Sequence, residues 1–323
     1  MSYHILLANE ENFKVCITKG VYGLIKSKEE RINAEVISCI IGVRPGDFIF
    51  FYVENVGLYG LWKVTTSAFY DEEQIWGDSN QKYPFRFCFE PAIRKFPKPV
   101  SLNDILDLRD KGKIWTFDLG SLTKKNLNTI TLDESKEIIR LLLRNNPVFI
   151  APEKIKDPYK PRKTEFIQLS LDCDTQGKIK YEGFLNAWFM QSFSEGKLKD
   201  LIGDYKDFIN YVPTSFNKVM DLFLTHVTSI DSVEILHKFT CIELKTDIVT
   251  EENLTQIIRY ENWLIRKLAN GDAEMVQSIL VGFDFDKTVL NYCSKRKFIE
   301  EKSVRLIKYC VNKKNNEILL SEV

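Results

Sequence analysis

Two strand-like runs and the helix after them decide the fold of the second half of the chain: Val219-Met-Asp221-Leu-Phe, then Cys241-Ile-Glu243-Leu-Lys245, then Gln256-Ile-Ile-Arg-Tyr260. Both runs place ionisable side chains among apolar neighbours, where a carboxylate needs a partner or a metal ion. Side chains alternate between the two faces of a strand, so Glu243 and Lys245 point to the same side. A helix starting at Thr250 presents Gln256 and Tyr260 on one face, four residues apart.

These residue types have the chemistry of a metal-dependent phosphodiesterase. Asp221 and Glu243 on neighbouring strands can hold one hard cation through oxygen ligands, with the Leu244 carbonyl as a further ligand. Lys245 can orient or deprotonate the attacking water, or neutralise charge developing on phosphorus. The glutamine and tyrosine of the helix can position metal-bound water or the phosphate. We therefore expect Mg²⁺ or Mn²⁺ as the cofactor.

About residues 170–295 resemble the PD-(D/E)xK nuclease superfamily, in the branch with a Q-x-x-x-Y helix that includes RecB-type nucleases and archaeal NucS-like endonucleases. The resemblance implies a restriction-endonuclease-like α/β core with a central mixed sheet. Asp221 stands for the first acid and Glu243-Leu-Lys245 for the E-x-K. Glu182 falls where the first helix commonly supplies another acid. The usual proline before the first acid is absent, and Lys218 is nearest to an arginine common in the NucS-like branch.

The second half is expected to follow the order helix, strand, strand, helix, strand, helix. We interpret His226 and His237 as structural or surface residues. The predicted elements are an opening strand at 165–171, a helix from Tyr181, strands at 217–226 and 238–248 joined by a short connection at 230–235, the helix from Thr250 to about Asn270, a strand at 276–283 and a final amphipathic, basic helix at 297–311.

The first half reads as a small, strongly curved β-barrel-like sheet with one or two short helices. A turn at Arg44-Pro-Gly-Asp47 precedes an aromatic run at 48–54, which is expected to pair with 58–66 as a hairpin. Capping boxes at Ser101-Leu-Asn-Asp104 and Thr131-Leu-Asp-Glu134 each predict a helix start.

Several motifs over residues 3–95 are similar, in order and spacing, to the EVE domain, a relative of the PUA and YTH reader folds. They are Ala8-Asn9-Glu-Glu-Asn12-Phe, Gly20-Val-Tyr22-Gly23, Arg44-Pro-Gly-Asp47 with Phe50-Phe-Tyr52, Tyr59-Gly-Leu-Trp62, and Phe69-Tyr70-Asp71 with Ile75-Trp76 and Tyr83-Pro-Phe-Arg86.

This resemblance implies that the first domain binds a modified base flipped into an aromatic cage, since aromatic walls restore the stacking that an extruded base has lost. Tyr22, which replaces a usual tryptophan, and Trp76 would be walls of the cage. Asn9 and Asn12 would read the edge of the base, and Trp62 is a further candidate. The alternative is that the three aromatic residues fill the core of a small barrel, which is the preferred interpretation for Trp62 because it lies inside a strand.

The composition fits two domains in 323 residues: a reader domain at 1–150, a linker at 151–164 with three prolines and five basic residues, and a nuclease domain at 165–323. The net charge is zero, so a nucleic-acid partner needs a local basic surface. Seven scattered cysteines and only three histidines argue against a zinc site and fit a reducing cytoplasm. An apolar run of about 18 residues and a signal peptide are both absent, so no membrane association is expected.

These observations favour a modification-dependent DNA endonuclease in the style of type IV restriction. Its substrate would be double-stranded DNA carrying a modified base, and cutting both strands would call for a homodimer. One alternative is a mismatch- or structure-specific DNA repair endonuclease. The other is a non-catalytic binder of modified DNA or RNA.

Overall fold

The computed structural model describes residues 1–77, 81–118, 125–162, 167 and 169–323. These residues form two compact units of mixed α and β structure, Met1–Gln168 and Leu169–Val323. The expected division into two mixed domains is confirmed at this level, although the boundary lies later than residue 150. Within the described ranges, no helix is long and apolar enough to cross a bilayer.

The first unit is built on a curled, half-barrel sheet with helices packed against it. Its strands run in the order β2-β6-β4-β3-β1-β7, with β5 paired to β6, and β1 is parallel to β3. The elements are β1 (Tyr3–Ala8), α1 (Glu10–Lys19), β2 (Val21–Leu24), α2 (Glu30–Ile40), β3 (Phe48–Val53), β4 (Gly57–Val64), β5 (Phe69–Tyr70), β6 (Phe85–Pro91), α3 (Leu102–Asp110), β7 (Leu127–Ile130) and α4 (Leu132–Asn145).

Local sequence signals account for both ends of α1 and for the start of α4. The Asn9 side chain caps α1 by accepting the N–H of Asn12, and Gly20 ends the helix in the left-handed conformation, which favours glycine. Thr131 and Glu134 form the predicted capping box of α4. Helix α2 was not predicted, because its start lacks a side-chain cap.

The segment at 151–164, predicted as a solvated linker, belongs to the first unit as far as it is described. The Tyr159 N–H donates to the Lys19 carbonyl, and its hydroxyl donates to Asp71 at 2.6 Å. The apolar Ile155 side chain packs where a Cβ on Gly20 would stand. Residues 163 and 164 lie outside the described residues.

The second unit is built on a six-stranded mixed sheet in the order β15-β14-β12-β10-β9-β8. The central strands β10, β12 and β14 are parallel, whereas the outer pairs are antiparallel. The elements are α5 (Glu182–Ser194), α6 (Lys199–Ile202), β8 (Asp207–Pro213), β9 (Val219–Ile230), β10 (Val233–Leu244), β11 (Ile248–Val249), α7 (Glu251–Lys267), a short 3-10 helix (Ala273–Met275), β12 (Val276–Gly282), β13 (Asp284–Phe285), α8 (Lys287–Glu300), β14 (Arg305–Asn312) and β15 (Glu317–Glu322).

The final predicted helix at 297–311 is wrong. Helix α8 ends at Glu300, and 305–312 is strand β14. Leu306, Ile307, Tyr309 and Val311 are buried in the sheet. Their spacing suits either a helix face or a strand, and the parallel pairing with β12 decides between the two.

Three smaller expectations also change. The connection at 230–235 is a turn at Asp231 and Ser232, both with positive φ, so β9 and β10 form a long hairpin. Strand β8, which was not predicted, forms an edge of the sheet. The opening strand at 165–171 is not seen at residues 167 and 169–171, and the remaining positions lie outside the described residues.

Candidate functional site

Asp221 and Glu243 lie side by side on β9 and β10. Leu222 pairs with Ile242 in the antiparallel register, so the next position brings the two carboxylates together. The Leu244 N–H donates to Asp221 Oδ2 at 2.8 Å, which fixes that carboxylate against the end of β10. Both residues are buried, and the Glu243 side chain is only 2% exposed.

The Lys245 ammonium lies among the oxygen atoms of this cluster. Its Nζ is 2.9 Å from Glu243 Oε1, 3.2 Å from Glu182 Oε2 and 4.0 Å from Asp221 Oδ2. It also donates to the Leu244 carbonyl at 2.7 Å. Glu182, at the first position of α5, is the most exposed of the three acids. The Lys245 ammonium therefore contacts four residues that the sequence predicts for the site.

The electrostatics of the cluster follow from burial and like charge. Burial raises the pKa of Asp221 well above its ordinary value, and the neighbouring Glu243 raises it further. Burial likewise raises the pKa of Glu243, although Lys245 opposes the change. Burial alone would lower the pKa of Lys245, but the three carboxylates outweigh it and raise that pKa. The ammonium is consequently charged at neutral pH.

Helix α7 contributes Gln256 and Tyr260, as predicted from their spacing. Gln256 Nε2 donates to Glu243 Oε1 at 2.8 Å and contacts the Tyr260 hydroxyl at 2.7 Å. The hydroxyl in turn donates to the Val219 carbonyl at 2.9 Å, on the strand that carries Asp221. The pair thus links both acidic strands to one helix.

The donor set suits a hard divalent cation. Among the described residues, Glu243 Oε2 is a buried oxygen without a hydrogen-bond partner. Such an oxygen is costly unless a ligand pairs with it. Within the same residues, no group of three or more His, Cys, Asp and Glu side chains is arranged to hold a metal ion. The candidate ligands are therefore two carboxylates, Asp221 and Glu243, and the Leu244 carbonyl, all of the oxygen type that Mg²⁺ and Mn²⁺ accept.

Two asparagines behind the cluster were missed in the sequence. Asn210 on β8 donates to the Asn186 side-chain oxygen at 3.1 Å, and Asn186 on α5 donates to the Asp221 carbonyl at 3.2 Å. Both are buried. Asn186 interrupts the apolar run Gly-Phe-Leu-Asn-Ala-Trp-Phe, and a polar residue in such a run signals a buried partner.

A cavity of about 340 Å³ in the first unit is lined by Asn9, Asn12, Tyr22 and Trp76. This volume is within the range of small-ligand sites. Its lining also includes Cys16, Tyr52, Glu54, Tyr83 and Asn126. Four of the five predicted base-binding residues therefore border one cavity.

The aromatic walls of the cavity are held by specific contacts. The Tyr22 hydroxyl contacts the Leu7 and Asn126 carbonyls, at 3.1 and 2.6 Å. The Trp76 ring packs 5.1 Å from Tyr83, and the Arg86 guanidinium lies 5.0 Å from its centroid. A Cβ on Gly23 would lie 2.8 Å from the Trp76 ring, so the glycine is what lets this ring approach β2.

Trp62 does not line this cavity, which corrects its assignment as a candidate cage residue. Its ring packs edge-on against Phe51 at 5.2 Å and against Phe13 at 6.1 Å. It borders a separate groove with Tyr59 and Arg94. The reason is the register of β4, which directs Trp62 toward Phe13 of α1 rather than toward Tyr22.

Comparisons with known proteins identify no family. No protein-family model matches the chain, and no curated protein matches it. A hypothetical protein from Leishmania major is similar over 45% of this chain and 96% of its own, with 14% identity and a TM-score of 0.32. Proteins from Agrobacterium tumefaciens and Pseudomonas syringae are similar over 47% and 44% of this chain and 100% of their own, with 18% and 16% identity and TM-scores of 0.31 and 0.32. These values assign neither a family nor a function.

Proposed function

We propose that the chain is a modification-dependent DNA endonuclease. The first unit, an EVE-like reader, captures a modified base flipped out of double-stranded DNA. The second unit, a PD-(D/E)xK-like nuclease, hydrolyses a nearby phosphodiester, and a homodimer supplies the two sites that cut both strands. The observation that carries the proposal is the buried pair Asp221 and Glu243 with Lys245 between them. Two carboxylates that repel each other inside a protein lower its stability, and such arrangements concentrate at functional sites.

Asp221, Glu243 and the Leu244 carbonyl would hold the Mg²⁺ or Mn²⁺ ion. When bound, such an ion polarises the phosphoryl oxygen and lowers the pKa of a coordinated water. The unpaired Glu243 Oε2 supports this donor set. Gln256 donates to the other oxygen of Glu243, which leaves the unpaired oxygen for a ligand.

Lys245 acts through its charge. Without a bound cation, the three neighbouring carboxylates raise the pKa of Lys245, so its side chain is an ammonium at neutral pH. Its ammonium neutralises negative charge that develops on the phosphate oxygens. Tyr260 touches Gln256 and the Val219 carbonyl, which makes it a positioning residue for the two acidic strands.

The reader role rests on the cavity that Tyr22 and Trp76 help to line. An extruded base has lost its stacking partners, and the aromatic lining supplies new ones. The amides of Asn9 and Asn12 line the same cavity. The Asn9 oxygen caps α1, so Asn9 would offer its amide N–H donors to the base edge, and Asn12 would offer a donor and an acceptor.

The test is cleavage of modified, unmodified and mismatched duplexes of one sequence, with Mg²⁺ or Mn²⁺ supplied and then chelated. We expect metal-dependent cutting by the wild type and none by the double variant Asp221→Ala with Glu243→Ala. Asp247→Asn serves as a control because its side chain is 72% exposed, and it should cut like the wild type. Retained cutting by the double variant would show that the site lies elsewhere. Cutting of the mismatched duplex without cutting of the fully paired modified duplex would favour the repair alternative.

A further inference from the structure

One stripe of α7 runs away from the carboxylate cluster. Gln256, Tyr260, Trp263 and Lys267 follow one another at intervals of three or four residues and so share a face of the helix. Gln256 contacts Glu243 at one end of the stripe. At a rise of 1.5 Å per residue, Trp263 lies roughly 10 Å further along the helix. This distance corresponds to about three stacked bases of one DNA strand.

Phe216 joins the stripe from the turn between β8 and β9. Its ring stacks on Tyr260 with centroids 5.8 Å apart and meets Trp263 edge-on at 6.5 Å. The turn is fixed because the N–H and hydroxyl of Thr214 both donate to the Lys218 carbonyl, at 2.9 and 2.7 Å. Tyr260 is buried, whereas Phe216 and Trp263 are partly exposed. Two aromatic side chains on fixed backbone therefore reach the surface next to the cluster.

Exposed basic side chains accompany these rings on α7 and in the turn that carries Phe216. Lys218, Arg259 and Lys267 are exposed, and the Lys267 ammonium lies 5.6 Å from the centroid of the Trp263 ring. The exposed acids of α7 lie at its opposite end, at Glu251 and Glu252. Basic side chains interleaved with accessible aromatic rings are the composition of surfaces that bind single-stranded nucleic acid.

We propose that Phe216 and Trp263 form a stacking platform for an unpaired nucleotide beside the cut, so that the second unit acts on DNA opened locally rather than on an intact duplex. The inference rests on the proposed function and deepens it. A base inside a duplex is already stacked on both faces and cannot offer one to a protein ring. An unpaired base has a free face that can stack on a protein ring, and the neighbouring basic side chains can bind its phosphates.

The test is binding measured in chelator, by fluorescence anisotropy, to a DNA single strand, a duplex with a central bubble and a fully paired duplex of the same sequence. Phe216→Leu and Trp263→Leu keep an apolar side chain and remove the ring. We expect each to weaken binding to the single strand and the bubble by roughly 5- to 100-fold and to leave the paired duplex within about twofold. Phe298→Leu is the control, because this ring is 89% exposed on α8 and lies outside the stripe.

Thermal unfolding of each variant shows whether a loss of DNA binding reflects misfolding. If Phe216→Leu is unstable, the binding of Trp263→Leu alone tests the platform. Unchanged binding, or an equal loss on all three DNAs by folded variants, would overturn the platform. Cleavage with Mg²⁺ is measured separately. If the wild type cuts DNA but neither ring affects binding, the stacking platform is rejected and the proposed nuclease function stands. Ring-dependent binding without any cutting would reject the nuclease and keep the platform.

Discussion

Replacing Asp221 by asparagine should stabilise the fold and abolish the proposed metal-dependent cleavage. The amide oxygen can still accept the Leu244 N–H, now 2.8 Å from the carboxylate, and the repulsion with Glu243 is removed. The two acidic side chains are 11% and 2% exposed, and Lys245 supplies one positive charge between them. An uncompensated buried charge costs several kcal/mol, and partial hydration of Asp221 reduces this, so we expect a gain of about 1–3 kcal/mol. For a domain of about 150 residues that is roughly 3–10 °C in Tm.

The pH dependence of this gain has a definite sign. The folded pKa of Asp221 is raised above its unfolded value near 3.9, so its contribution to stability is fully present below about pH 4 and is lost as pH rises through the folded pKa. The asparagine does not titrate. The advantage of Asp221→Asn over the wild type should therefore be small at acid pH and largest at neutral pH.

The assay is thermal unfolding in chelator at pH 4.5 and pH 7.5. Asp247→Asn is the matched control, since its exposed ion pair with Lys178 should change stability by less than about 0.5 kcal/mol. A Tm for Asp221→Asn below that of the wild type at pH 7.5 would refute the reasoning. Such a result would mean that the ionised Asp221 carboxylate stabilises the fold, whereas the reasoning holds that it destabilises the fold.

Further predictions concern three other positions. Lys245→Met should leave Glu243 buried without its ion pair, lowering the free energy of unfolding by about 3 kcal/mol in urea titrations and single-turnover cleavage by at least about 100-fold. Trp76→Leu should weaken binding to modified DNA by roughly 5- to 100-fold in competition assays, whereas Trp62→Leu, bordering the other groove, should stay within about twofold. Burial lowers the pKa of His226 to about 4, so the wild type should lose on the order of 2 kcal/mol relative to His226→Gln as pH falls from 6.5 to 4. Urea unfolding across that range checks the last prediction, and parallel curves for the two proteins would contradict it.

The sequence was most informative where the candidate site depends on local periodicity. The two-residue period of the strand predicted at 238–248 places Glu243 and Lys245 on one side, and the four-residue spacing on α7 places Gln256 beside Tyr260. The contact between Gln256 and Glu243 confirms that these patterns converge. Glu182 is also at the cluster, through its ion pair with Lys245.

Long-range pairing was not readable in the same way. The run from Val304 to Val311 suits a helix by spacing, and only its parallel register with β12 makes it a strand. The hydrogen bonds of Asn186 and Asn210 join a helix to two strands, so the polar residue in the apolar run of α5 signals a buried partner for Asn186 but does not show which strand supplies it. Trp62 illustrates the same limit, because the face that it occupies depends on the register of β4 with its neighbours.

The most direct test of the central claim is the cleavage rate of the wild-type chain on paired duplexes of one sequence, unmodified or carrying 5-methylcytosine, 5-hydroxymethylcytosine or N6-methyladenine, with Mg²⁺ present. The account predicts that at least one modified duplex is cut about tenfold faster or more, because a captured base contributes on the order of 1–3 kcal/mol by stacking, and that chelation stops the cutting. Equal rates on every modified and unmodified duplex would contradict it.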